Sequence, residues 1–198
     1  MIARSMLFSP FAIAALSACG SHSGATIANT TDTMDSTKPR LKAALAQDTG
    51  MMAATPGAQQ FADLAAKSDA FEIAAARLAQ TNGASAAVKA FAARMIAAHT
   101  ATTATIRKAA AAASPAITPD PSLPGTDYPA RLAELGKLRG ADFDKAYVAG
   151  QIDAHNQALS LFQLYATGGE VASLKAAANG IIPIVKQHIV MARELALK

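Results

Sequence analysis

Tryptophan is absent from the 198-residue sequence, aromatic residues make up only 5% of it, and there is a single cysteine. One thiol excludes an internal disulfide. So few aromatics argue against a β-sandwich, whose strands favour aromatic and β-branched residues. No uninterrupted apolar run reaches the ~20 residues of a mature membrane-spanning helix. A Gly-rich phosphate loop, a G-x-S-x-G elbow and an H-E-x-x-H helix are all missing, which removes the commonest nucleotide, acyl-transfer and metalloprotease signatures. Strong charge of one sign is lacking too. The 18 Lys+Arg and 14 Asp+Glu leave a formal +4, scattered and not interleaved with aromatics. No nucleic-acid partner is expected from that pattern.

What is present is alanine, which dominates a hydrophobic content of 52%. Alanine has the best helix propensity and little side chain to pack. The composition therefore predicts closely packed helices with thin cores.

The first 18 residues carry Arg4 and then an apolar stretch from Met6 to Leu16. That stretch is too short to span a bilayer but fits the h-region of a signal peptide. Leu16-Ser17-Ala18-Cys19 resembles the bacterial lipobox, in which an aliphatic and two small residues precede a lipidated cysteine. Cys19 is thus the expected lipidation site and the membrane the expected partner. Gly20 and Ser21 follow with no Asp, which resembles the pattern of lipoproteins sent to the outer membrane. The expected location is the bacterial cell envelope, with the domain facing the periplasm. Residues 19–57 are rich in Ser, Thr, Gly and Asp, with Pro39 and Pro56, and read as a flexible tether with a brief helix over Arg40–Gln47.

From residue 58 to 198 the pattern is that of a helical domain. Apolar residues recur by threes and fours over 58–80 (Phe61, Leu64, Phe71, Leu78) and over 85–113 (Val88, Phe91, Met95, Ile106). Asn82-Gly83 separates the two. Residues 114–126 hold four prolines and form a long crossing loop. A short helix follows at 128–138. Two long helices then cover 141–167 and 170–197, divided at Gly168-Gly169, with Pro183 expected to kink the last. Short turns make the first and last pairs antiparallel. The predicted fold is all-α: an up-down-up-down four-helix bundle with one long connection between the second and third helices.

Each long helix carries one inward titratable group: Glu72, His99, His155 and His188. Imidazoles and a carboxylate on facing helices are what a metal site in a bundle core requires. Tyr147, before His155, can add a phenol, while His22 falls in the tether. Met51, Met52, Met95 and Met191 offer soft ligands, although methionines at helical spacing usually fill cores. Rise counted from the turns at about 1.5 Å per residue puts Glu72 and His155 near one level, with His99 and His188 about two turns deeper. That predicts two pairs, not one four-ligand shell. The Glu-x-x-His pattern of di-iron bundles is absent, since Ile96, Ile152 and Val185 stand three residues before the histidines. The competing reading is a hydrogen-bonded polar core without metal, in which the histidines are depressed below their usual ~6.5 by burial.

The same stretches carry a resemblance. F-A-x-x-A-x-x-S-D-x-F-E-I (61–73), V-K-x-F-A-x-x-M-I-x-x-H (88–99), F-D-x-x-Y-V (143–148), His155 and I-P-I-V-K-Q-H (182–188) resemble the domain of unknown function 4142 family, over residues 59–195. The resemblance implies a ferritin-like bundle in an exported bacterial protein with no established activity. Members often carry an acidic residue just before the histidine of the second helix; here Ala98 stands there. Two functions follow as expectations. The first is a non-enzymatic envelope lipoprotein with a binding, structural or stress-related role. The second is a metal-binding or redox protein using Glu72, His99, His155 and His188, with a transition metal as cofactor.

Overall fold

In the computed structural model, which describes residues 54–197, the alanine-rich segments form five helices. They are α1 (Ala58–Asn82), α2 (Ala86–Ala111), α3 (Tyr128–Lys137), α4 (Gly140–Gly168) and α5 (Ala172–Ala196). There is no strand among the described residues, only an isolated bridge between Gly83 and Gly140. The all-α expectation holds, and the helix limits fall within two residues of those read from periodicity. The helix of α5 continues through Pro183. The signal segment, Cys19, His22, the brief helix at 40–47 and Met51-Met52 lie outside the described residues. No described helix is long and apolar enough to cross a membrane.

The four long helices pack in a ring: α1 against α2, α2 against α5, α5 against α4, and α4 against α1. Their directions correct the expected order. Gly140, at the start of α4, bridges Gly83 in the α1–α2 turn. At the other end, Glu170 beyond α4 accepts a hydrogen bond from the Ala58 amide that opens α1, at 2.9 Å. Helices α2 and α4 therefore run in the same direction, and the chain order is up, down, down, up. Every neighbouring pair in the ring is still antiparallel. The physical reason is the connection over 112–139. A short turn forces reversal, but a long one can run the length of α2, roughly 39 Å at 1.5 Å per residue, and return the chain to its starting end. The connection is tied down on its way, the Asp120 amide donating to Asp63 at 2.7 Å and Gln59 donating to the Thr118 carbonyl at 3.0 Å. It ends in α3, which has no buried residue but lays Leu132 and Leu135 on the core.

The core has three layers. At one end Phe61, Ile106, Leu161, Tyr165, Leu174 and Val185 form an apolar cluster, with the Phe61 and Tyr165 rings stacked at 3.9 Å. At the other, Val88, Phe91, Met95, Phe143, Tyr147 and Ala192 form a second. Between them lies a buried polar layer of Asp69, Glu72, His99, Thr102, Gln151, His155 and His188.

Candidate metal centre

Each of the four long helices contributes to the polar layer near its midpoint, where no helix end supplies spare backbone groups. The polar side chains must satisfy one another. His99, His155 and His188 converge, with ring centroids 5.3, 5.7 and 5.2 Å apart. One ring nitrogen from each lies within 4.8 Å of the other two. The closest approach is 3.2 Å, between His155 Nε2 and His188 Nδ1. Nitrogens held at about 2.0–2.1 Å in a tetrahedral site are about 3.4 Å apart, close to the His155–His188 separation.

Glu72 stands beside them, its Oε1 4.0 Å from His155 Nδ1. The two-pair arrangement expected from depth counting is therefore replaced by one cluster. Counting failed because the α1–α2 and α4–α5 turns lie at opposite ends of the bundle, so depths measured from them share no origin.

The outward nitrogens are anchored. His99 Nδ1 lies 2.8 Å from Asp69 Oδ1, while the Thr102 and Thr103 hydroxyls lie 2.9 and 2.8 Å from Asp69 Oδ2. His155 Nδ1 donates to the Gln151 carbonyl at 2.9 Å. Both contacts place a proton on Nδ1, the orientation typical of metal-bound histidines; His99 Nε2 then has no partner, while His155 Nε2 faces His188 Nδ1. Gln151 Nε2 donates to Glu72 Oε2 across the α1–α4 seam. Five buried side-chain polar atoms have no hydrogen-bond partner among the described residues: His99 Nε2, Glu72 Oε1, Gln151 Oε1 and the Tyr147 hydroxyl in or beside this layer, and the Tyr165 hydroxyl in the apolar cluster. Each such atom costs about 1–3 kcal/mol, and a group of them in a native core calls for a bound water or ion.

The electrostatics divide the histidines. Burial, then the charge of His99, lowers His155 to about 4. Burial, then His155 and His99, lowers His188 to about 3. Burial opposes charge on His99 as well, but the Asp69 hydrogen bond and the Glu72 and Asp69 charges outweigh it, and its pKa is raised. The uniform depression expected of packed core histidines therefore holds for His188 and fails for His99. Burial raises Glu72, although His99, Gln151 and Arg131 pull it down. Burial and Glu72 also raise the Tyr147 phenol.

Sequence reasoning missed Asp69. It lies three residues before Glu72, one turn away on the same face, and that spacing was the signal. It also missed the roles of Gln151 and Thr103. Met95 belongs to an apolar cluster, and Met191 packs at that cluster's edge with its sulfur 3.8 Å from Arg94 Nη1.

The family model described as a domain of unknown function, DUF4142, matches residues 34–195. The chain belongs to the DUF4142 family. The match begins inside the segment read as a tether. No curated protein and no solved structure matches the chain. The matched range contains Asp69, Glu72, His99, His155 and His188. Asp69, on the neighbouring helix, holds the His99 ring.

Proposed function

We propose that this DUF4142 chain is a lipid-anchored protein of the bacterial envelope whose ferritin-like helical bundle binds a transition-metal ion through His99, His155 and His188, with Glu72 as the fourth ligand. The observation that carries the metal reading is the convergence of three buried histidine nitrogens within 4.8 Å. Two antiparallel helix pairs joined by one bundle-length connection support the ferritin-like reading. The chemistry of the set favours imidazole-seeking metals such as zinc, copper, nickel or iron over calcium or magnesium, which prefer oxygen. Cys19 and the lipobox support the anchor.

Thermal melts of the full chain in detergent, with chelator and with each metal, test the site. Binding to the folded state alone adds about 2.7 kcal/mol at a hundredfold excess over Kd, which raises the melting temperature by several degrees. His99→Gln and His188→Gln should each erase that rise while keeping the helical circular dichroism signal. A wild-type melt unmoved by all four metals would refute the site.

A further inference from the structure

The seam between α1 and α4 is covered at one end only. There α3 lies across both helices, with Leu132 and Leu135 packed on the core and Glu134 and Lys137 paired at the exposed surface. Tyr128, at the start of α3, stacks on Phe71 at 4.5 Å. Beyond Tyr128 the seam opens into a cleft of about 520 Å³. Its α1 side is Gln60, Leu64 and Ser68, one face of the helix over about 12 Å. Ala154, Ala158 and Leu161 belong to its α4 side. Leu64 and Ala158 rest on the apolar cluster yet stay half-buried. No charged side chain among the described residues lines the cleft. Ala54, Thr55 and Pro56 do line it, so the preceding chain joins the bundle at this cleft.

We infer that the cleft is the docking site of this chain's own Leu41–Gln47 stretch. In L-K-A-A-L-A-Q, Leu41 and Leu45 lie four residues apart, so a helical turn puts both on one face. Helix α3 uses Leu132 and Leu135 on the same seam in that way. As a helix the stretch is about 10 Å long, which matches the cleft. Residues 48–53 join it to Ala54 and span up to about 20 Å, enough to fold the stretch back along α1. The DUF4142 match begins at residue 34, so the family pattern takes in this stretch and not the bundle alone. Two leucines set on Leu64 and Ala158 leave water for an apolar floor. A segment joined by so short a linker has a high effective concentration at the cleft, so a small contact suffices. Docked, the domain begins near Leu41, and the linker to Cys19 is correspondingly shorter. Neither the metal ligands nor the lipid takes part.

Hydrogen–deuterium exchange of the full chain in detergent, read on peptides covering 41–47, tests the docking. In the wild type these amides should exchange at least about tenfold more slowly than in an unstructured chain, at a rate unchanged by dilution of the protein. Leu45→Asp should return them to the unstructured rate while α1–α5 stay protected. Ala158→Arg, which fills the cleft with a charged side chain, should do the same. If Ala158→Arg does not fold, Ser160→Trp, at an exposed position lining the cleft, takes its place. Wild-type amides exchanging at the unstructured rate would overturn the inference. Protection lost on dilution would put a second copy in the cleft and overturn it too. So would protection that survives in a folded cleft variant, because the stretch would then be held by the micelle or by another face.

Discussion

Three neighbouring imidazoles cannot all be charged, and of the three only His99 has a carboxylate within hydrogen-bond distance of its ring. His99 has Asp69 behind it; for His155 and His188 burial and the neighbouring imidazoles outweigh the Gln151 carbonyl and the more distant carboxylates. The metal-free protein should therefore show two opposed pH arms. His155 and His188 have folded values of about 4 and about 3 against about 6.5 when unfolded. Below pH 6.5 the unfolded chain takes up protons that the folded one refuses, so stability falls from pH 6.5 down through about 4. His99, raised in the folded state, contributes stability that is fully present below 6.5 and is lost as pH rises through its folded value. Glu72 is also raised, and its contribution is lost as pH rises from its usual 4.5. Urea denaturation in chelator at stepped pH should show the acid arm flattened in His188→Gln and the arm above 6.5 flattened in Asp69→Asn. An acid arm of unchanged slope in both His155→Gln and His188→Gln would show that other groups carry it. The four inward groups were legible from 100° periodicity because each sits in an apolar stripe. The tautomers and the split in charge were not, because they depend on which ring Asp69 faces across a helix interface.

At the scale of elements, helix limits were legible because alanine periodicity is interrupted by Gly, Pro and Asn. Helix direction was not, because nothing local fixes where a long proline-rich connection ends. Direction is set by long-range contacts such as Asp144 on α4. Its carboxylate accepts from the amides of Ala84 and Ser85 at 3.2 and 2.7 Å, which supplies free N–H groups at the start of α2 with acceptors and pins α4 to the α1–α2 turn. Asp144→Ala should cost about 1–2 kcal/mol, by analogy with loss of a helix cap, read as a lower urea midpoint. Metal affinity should stay within about twofold, since the polar layer is several turns away. Gly83 completes this corner. A Cβ there would lie 2.8 Å from both the Ala79 carbonyl and Asp144 Oδ1, so Gly83→Ala should destabilise by about 1–3 kcal/mol through overpacking. If neither variant shifts the midpoint, the corner does not hold the two helix pairs together.

At the scale of the whole molecule, the proposed lipid anchor and the proposed metal centre make separable demands. Lipidation needs only the sequence around Cys19, whereas the proposed centre draws all its groups from residues 69–188. The two should therefore come apart by mutation. Each buried methylene of an acyl chain contributes about 0.8 kcal/mol, and stable anchoring takes more than one chain, so loss of the attachment atom should release the protein almost completely. Cys19→Ser should move the chain from the membrane and detergent phase to the aqueous fraction, while its metal-dependent rise in melting temperature stays as in the wild type. Partitioning unchanged from the wild type would rule out lipid on Cys19. Loss of the metal response in a folded Cys19→Ser protein would mean that the thiol is itself a ligand, and a site of three histidines and Glu72 would then be wrong. Retention of the metal response together with loss of the anchor is the outcome expected, because every group proposed to bind the ion is already buried within the bundle.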